Sequence, residues 1–260
     1  GPKWLWLARH EPDLWEKTAK ILMLPEYLGY LLTGRRRVDR ENGGSSLCVD
    51  TRTETWWAEA VERCGARVEQ LGQVVRPGAP IGPLLPEVAD ACGIRSRPRV
   101  FAGANDQNVG ALGVGNCRKG FTSGMVGTAI ALITNLGERA PVTPRFDWGK
   151  FPIEGQYFGL TYGKTGATLL TWFRNQFAAG ASYDELTAEA DAVPAGCEGL
   201  TCIPHFQGVA TPSFRPDVRG GFLGISLSHQ RRHFVRAVLE AVCFAAFDSL
   251  ELVKTAGVEP

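Results

Sequence analysis

Hydrophobic and polar positions follow helical spacing over several stretches of the chain. Residues 3–34 are predicted to be helical, because "EPDLWEKTAKILML" and "PEYLGYLLTG" carry apolar residues at that spacing and Gly34 suits a C-terminal cap. Further helices are predicted in "TWWAEAVERCG" and in "GATLLTWFRNQF", which follows a glycine. The longest predicted helix runs from about Ser228, its N-cap, to Ala256.

Runs of β-forming residues separate these helices. "PRVFAGA", at 98–104, predicts a buried strand, and "QYFGLTY" and "LTCIPHF" predict two more. Glycines interrupt a β-rich run in "FTSGMVGTAIALIT", which predicts a strand, a tight turn and a second strand. Because strands alternate with helices along the chain, the pattern predicts an α/β fold.

Composition limits the classes of partner and the cellular compartment. The 260 residues are 44% hydrophobic and 21% charged, which suits one large domain or two modest ones. A net charge of +1 provides no electrostatic basis for binding nucleic acid or an anionic membrane. The seven cysteines include no C-x-x-C pair, which indicates reduced thiols in a cytoplasmic protein.

The sequence comes close to three familiar motifs but matches none of them. In "FGLTYGKTG", three residues separate Gly159 from Gly163, whereas the Walker A phosphate loop has four, and "GVGNCRKG" lacks the dinucleotide-loop spacing. His229 and His233 stand four residues apart, as metal ligands on one helix face do. "HQRRH" lacks the glutamate of H-E-x-x-H, so a polar helix start is the favoured interpretation.

One carboxylate and one turn together suggest phosphoryl transfer. Asp106 follows the predicted strand, and ligand sites of α/β proteins lie at that end of a strand; a helix-capping role is the equal alternative. In "SGMVGTA", Gly124, Gly127 and Thr128 are predicted to form a turn whose N–H groups and hydroxyl suit a phosphate, unless it is a simple hairpin turn. A base and a phosphate turn are the minimum for phosphoryl transfer to a hydroxyl.

Several motifs in the same order make the chain resemble the FGGY family of carbohydrate kinases. "PKWLWLARHEP" resembles the first family signature, and "AGANDQNVGALGVG" resembles the segment that carries the catalytic Asp. "MVGTAIAL" is similar to the Gly-Thr phosphate turn, and "GKTGATLLTWFR" to the nucleotide-contacting helix start. The stretch from "GLTCIPHF" to "RAVLEAV" resembles the second signature, so the resemblance covers nearly the whole chain.

This resemblance implies an α/β fold of the actin-like, ribonuclease H-like type, with parts of two domains. Residues 1–114 are expected to be the C-terminal part of the sugar-binding domain, and residues 115–260 the N-terminal part of the nucleotide-binding domain. The family's opening Asp-Gly-Thr phosphate loop and its later Gly-Gly-Ala-rich adenine site are absent from the sequence. We therefore expect the chain to be a segment of a longer polypeptide and to be inactive alone.

The resemblance also implies roles for individual residues. Asp106 is expected to be the general base that takes a proton from a sugar or polyol hydroxyl as that oxygen attacks the γ-phosphate of ATP. Gln107 is implied to contact the substrate, and Gly127, Thr128 and Gly166 the nucleotide. The family further implies Mg²⁺ bridging the phosphates, although no residue of this chain is identified as a metal ligand.

The acceptor is less well defined than the reaction. The order of the motifs favours a ketopentose such as xylulose, whereas Gln107 keeps glycerol or another polyol open, and gluconate is a third option. Where many sugar kinases have Gly-Glu-Arg-x-Pro, residues 208–212 read Gly-Val-Ala-Thr-Pro, which loses a charge pair. A non-catalytic sugar- or partner-binding relative and a homodimer also remain open. Asn105, which replaces a common glycine, has no assigned role.

Overall fold

The computed structural model of the protein describes residues 1–142, 145–258 and 260. Its helices are α1 Pro2–His10, α2 Pro12–Lys17, α3 Leu24–Thr33, α4 Arg40–Gly44, α5 Ala58–Arg63, α6 Pro86–Ala91, α7 Asp106–Gly113, α8 Ala167–Phe177, α9 Tyr183–Asp191 and α10 Arg231–Lys254. Its strands are β1 Arg37–Asp39, β2 Val49–Asp50, β3 Thr55–Trp56, β4 Gln73–Val75, β5 Pro80–Pro83, β6 Arg99–Phe101, β7 Thr122–Val126, β8 Ile130–Gly137, β9 Asp147–Lys150, β10 Tyr157–Gly163, β11 Thr201–Ile203 and β12 Gly221–Leu223. Short 3-10 helices occupy Val68–Gln70 and Cys197–Gly199.

The chain folds into two compact units. The first unit contains Gly1–Gly110 and the short segment Gly149–Gln156, and the second contains Ala111–Trp148 and Tyr157–Pro260. The predicted domain boundary between residues 114 and 115 stays a prediction.

Helices and two-stranded sheets build the first unit. β1 pairs in parallel with β4, and β2 with β3 and β5 with β6 pair antiparallel. Its core contains Cys48, Val61, Ala66 and Leu71, with indole rings packed around them. The segment Gly149–Gln156 is tied to this unit because the buried Arg40 donates through Nη2 to the carbonyl of Phe151 at 2.7 Å.

The prediction of one helical stretch over residues 3–34 is wrong in its continuity. α1 ends at His10, because Pro12 lacks an N–H donor and keeps Glu11 out of helical geometry. α2 ends at Lys17, since the carbonyl of Thr18 accepts from the Gln70 side chain at 2.7 Å in a contact made far along the chain. The predicted cap at Gly34 is confirmed, as its left-handed backbone and its N–H bond to Tyr30 end α3.

The antiparallel strands β7, β8 and β10 and three helices build the second unit. The strand order is β7-β8-β10-β9, and the predicted strand–turn–strand over "FTSGMVGTAIALIT" is confirmed by β7 and β8. α8 and α10 pack around a core that includes Leu169, Cys197, Leu200 and Val238. The predicted helix in "GATLLTWFRNQF" is confirmed as α8.

The long final helix begins later than predicted. Gln230, not Ser228, is the N-cap of α10, because His233 turns its Nδ1 back to accept the Gln230 N–H at 2.9 Å. His229 Nδ1 accepts the Ser226 N–H at 3.0 Å, so both histidines have contacts at the helix entry. None of the helices among the described residues is long and apolar enough to cross a membrane.

Candidate functional site

The strand that leads to Asp106 is more exposed than the sequence suggests. The prediction of a buried strand is wrong, since the Phe101 side chain in β6 is 55% exposed. The reason is that β6 pairs with a single neighbour, β5, in a two-stranded sheet within the described part of the chain. Residues 102–105 then carry the backbone into α7, whose first residue is Asp106.

Asn105 supplies the cap of α7. Its carbonyl accepts the Val109 N–H at 3.0 Å, and its side-chain Oδ1 accepts the Gln107 N–H at 3.1 Å, as an N-cap residue does. This contact gives Asn105 the role that the sequence leaves open. Asp106 stands one position later and is exposed, with Oδ1 accepting the Gln107 N–H at 2.8 Å. A carboxylate in this first turn interacts favourably with the helix macrodipole.

A buried carboxylate that the sequence does not single out lies against this helix start. Glu41 Oε2 accepts the Asn105 N–H at 3.3 Å and the Asn108 Nδ2–H at 2.9 Å. The Glu41 pKa is raised to about 7, chiefly by burial and also by the Asp39 carboxylate. The bonds from Asn108 and Asn105 and the charge of Arg40 oppose the rise. Its partners lie 64 and 67 residues along the chain, so no local pattern distinguishes Glu41 from a solvated carboxylate.

The predicted phosphate turn is the tip of the β7–β8 hairpin. Val126 pairs with Ile130, which leaves residues 127–129 as the loop, and the Gly127 N–H donates to the Ala129 carbonyl at 2.9 Å. Placing Gly124 in the turn is wrong, because strand pairing puts it inside β7 opposite Leu132. Both residues at the tip, at 127 and 128, are exposed.

Backbone hydrogen bonds dock this loop on the start of α8. The N–H of Gly166 donates to the Thr128 carbonyl at 2.9 Å, and the N–H of Ala167 donates to the Gly127 carbonyl at 2.8 Å. The Thr168 hydroxyl donates to the same Thr128 carbonyl at 2.6 Å. The first N–H groups of a helix lack partners within it, and here the loop provides them. The fold thus brings Gly127, Thr128 and Gly166 together.

The close approach of two backbones explains why residue 166 is a glycine. A Cβ at Gly166 would lie 2.7 Å from the Gly127 carbonyl oxygen and 2.8 Å from the Ala129 carbonyl carbon. Any side chain would therefore push the loop away from α8. The stretch "FGLTYGKTG", whose glycine spacing differs from that of a Walker A loop, does form a strand, a loop and a helix start. The N–H of its last residue, Gly166, donates to the Thr128 carbonyl.

The Thr128 hydroxyl is a polar group of the loop that remains available. Within residues 1–142, 145–258 and 260 it has no hydrogen-bond partner, and the residue is exposed. Asp106 and Gln107 belong to the first unit, and Gly127, Thr128 and Gly166 to the second. In the described residues, no group of three or more His, Cys, Asp or Glu side chains could hold a metal ion.

Both halves of the chain match models of one protein family. Residues 1–113 match the N-terminal domain of the FGGY family of carbohydrate kinases, and residues 125–260 match the C-terminal domain of that family.

Individual relatives agree with these matches. The chain is 29% identical to a xylulose kinase of Bacillus subtilis over 98% of its own length and 52% of the relative's. It is 28% identical to a gluconokinase of Bacillus licheniformis over 92% of its own length and 48% of the relative's. The crystal structure of xylulose kinase from Rhodospirillum rubrum superposes with a TM-score of 0.92 at 30% identity, over 99% of this chain and 52% of that one.

These likenesses extend over most of the chain but not over most of its relatives. The chain spans about half the length of the curated relatives that it matches. The resemblance drawn from the sequence motifs and the predicted α/β, actin-like fold are both confirmed.

Proposed function

Because the chain belongs to the FGGY family of carbohydrate kinases, we propose that its protein transfers the γ-phosphate of ATP to a hydroxyl of a ketopentose resembling xylulose. The observation that carries this proposal is the exposed Asp106 carboxylate in the first turn of α7, held there by the Asn105 cap. An acceptor hydroxyl needs a base at such a position, and a positioned base typically contributes about 10²–10⁴-fold to the rate.

In the proposed reaction, Asp106 handles the proton of the acceptor. The acceptor oxygen attacks the γ-phosphorus, the new O–P bond forms as the bond to ADP breaks, and the released proton passes to an Asp106 carboxylate oxygen. The neighbouring Gln107 side chain is half-buried on the same helix and is proposed to bind the sugar. Positioning of this kind supplies most of the catalysis in phosphoryl transfer.

The loop of the second unit is proposed to bind the nucleotide phosphates. Gly127 has open space where a Cβ would stand, so a phosphate can approach its backbone closely. The Thr128 hydroxyl is exposed and suits a phosphate oxygen as acceptor. Gly166 contributes by letting the loop dock on α8, and we propose that the nucleotide lies against the same position.

Mg²⁺ is the cofactor that accompanies ATP in kinases, and in such sites it is held largely by phosphate oxygens and water. Since no cluster of metal-ligating side chains occurs in residues 1–142, 145–258 and 260, we assign no residue of this chain to the ion. The cysteines of the described chain are free thiols, which supports a cytoplasmic location as part of the proposal.

The decisive experiment is an ADP-release assay on the protein as its gene encodes it, with D-xylulose, D-gluconate, glycerol and erythritol as acceptors. Asp106→Asn should lower kcat by at least about 10²-fold and leave the Kd for ATP within threefold, because it removes the base alone. Asp90→Asn is the matched control, since Asp90 is an exposed helical carboxylate of the same unit.

Three other outcomes would redirect the proposal. Retention of more than a tenth of the wild-type kcat by Asp106→Asn would refute the role of Asp106. Fastest turnover of D-gluconate would identify a gluconate kinase, the acceptor class of one similar protein. Sugar binding without turnover by the wild type would identify a non-catalytic relative.

A further inference from the structure

The start of α7 rests on a polar cluster that the proposed chemistry does not use directly. This cluster consists of Glu41, Asn105 and Asn108, all within the first unit. We propose that Glu41 is a positioning residue, whose carboxylate fixes the first turn of α7 and thereby the orientation of Asp106. The inference rests on the proposed function for the chemical role of Asp106, but not for the positioning itself.

The contacts of Glu41 surround Asp106 along the chain. One oxygen, Oε2, accepts from the backbone N–H of Asn105, immediately before Asp106, and from the side chain of Asn108, two residues after it. The Asn105 backbone is held from outside the helix, while its side chain caps the helix from within. A single carboxylate oxygen therefore restrains α7 on both sides of the residue that is proposed to take the proton.

The burial of this cluster shows that it is more than a surface contact. Glu41 is 7% exposed and Asn108 is 1% exposed. A buried carboxylate costs free energy unless hydrogen bonds compensate for the lost water. The nearby Arg40 does not pair with it, because its Nη1 bonds Glu54 and its Nη2 bonds the Phe151 carbonyl. The side-chain bonds that Glu41 makes within the described residues thus lead to α7.

The fixed position matters because the base must meet the hydroxyl at hydrogen-bond distance. A displacement of about 1 Å in a catalytic group can lower a rate by about 10²-fold. Asp39 holds Glu41 in turn, since its Oδ1 accepts the backbone N–H groups of Glu41 at 3.1 Å and of Asn42 at 2.9 Å. The end of β1 is therefore connected to Asp106 through a short series of hydrogen bonds.

The test compares three variants of the protein as its gene encodes it. Glu41→Ala removes both bonds to α7, whereas Glu41→Gln keeps an acceptor oxygen and nearly the same volume. Glu26→Ala is the matched control, because Glu26 is a 3% exposed acid of the same unit that accepts instead from the Met23 N–H beside α3. Amide hydrogen exchange over residues 105–109 and steady-state kinetics with D-xylulose and ATP are measured for each.

We expect Glu41→Ala to speed exchange at the Asn105 and Gln107 amides by at least about tenfold, while Glu26→Ala leaves them within threefold. The same Glu41→Ala variant should lower kcat by about 10–100-fold with the KM for the sugar within threefold. Glu41→Gln should restore both quantities to within threefold of wild type, because its amide oxygen can accept the same two bonds from Asn105 and Asn108.

The possible failures are distinguishable. Unchanged exchange in Glu41→Ala overturns the positioning inference, whether or not the protein phosphorylates a sugar. Faster exchange with an unchanged kcat also overturns it, since the helix start would then not control the base. A wild type without turnover on any acceptor overturns the proposed function instead. If Glu41→Ala does not fold, Asn108→Ala removes one of the two bonds and must shift exchange and kcat in the same direction, or the inference fails.

Discussion

The helix start that carries Asp106 and the loop that carries Thr128 are held in place by different kinds of contact. In the first unit, the side chains of Glu41, Asn105 and Asn108 fix the start of α7. In the second unit, main-chain N–H groups at the start of α8 bond the carbonyls of Gly127 and Thr128.

The difference determines what each region tolerates. A contact between backbones depends on side-chain identity only where a Cβ would intrude, as at Gly166. A contact through side chains depends on the identity of every member, and through Glu41 it also depends on pH. The loop should therefore be sensitive to a methyl group added at Gly166 and insensitive to pH, whereas the helix start should be sensitive both to the loss of a side-chain partner and to pH.

The largest effect is expected from Gly166→Ala. The added Cβ would stand 2.7 Å from the Gly127 carbonyl oxygen, so the loop must shift and lose its bonds to α8. We expect the free energy of unfolding to fall by about 2–3 kcal/mol, measured by urea titration of the purified chain. Gly127→Ala is the control, because a Cβ there meets open space. A loss below about 0.5 kcal/mol in Gly166→Ala would show that the loop does not depend on this approach.

An effect of intermediate size is expected from pH acting on Glu41. Its pKa is raised from 4.5 to about 7 in the folded chain, so folding binds a proton between these values. The corresponding stability is present below pH 4.5 and is lost as the pH rises through about 7.

Urea titrations at pH 5 and pH 7.5 measure this loss. From pH 5 to pH 7.5, the free energy of unfolding of the wild type should fall by about 2 kcal/mol more than that of Glu41→Gln, because Gln has no proton to release. Equal losses in both proteins would contradict the raised pKa. Gly166→Ala, compared with wild type in the same way, should show no added dependence on pH.

The smallest effect is expected from the exposed hydroxyl of the loop. Thr128→Val removes one hydrogen bond to a phosphate oxygen and should weaken ATP binding about fivefold, which corresponds to about 1 kcal/mol. Thr128→Ser keeps the hydroxyl, so its Kd for ATP should stay within twofold of the wild-type value. Calorimetric titration with ATP compares the two variants. Equal affinities of Thr128→Val and Thr128→Ser for ATP would show that the Thr128 hydroxyl does not contact the nucleotide. The docking bonds are unchanged, because they use the Thr128 carbonyl.

Local features of the sequence were sufficient for several parts of the structure. The β7–β8 hairpin, α8 and the cap at Gly34 were predictable, because turn glycines and apolar periodicity act over a few residues. The exposed position of the loop at residues 127 and 128 follows from the same turn chemistry. The roles given to Asp106, Gln107, Gly127, Thr128 and Gly166 stay predictions that the experiments above test.

By itself, then, the sequence determined the β7–β8 hairpin, α8, the cap of α3 and the family, because these depend on short-range spacing and on motifs in sequence. Only the tertiary structure decided that Glu41 is buried against Asn105 and Asn108, that Gly166 is needed for contact between two backbones, and that the helix over 3–34 is interrupted. The physical reason is common to all three. Burial, close backbone approach and competing hydrogen bonds are set by residues that are distant along the chain and adjacent only after folding.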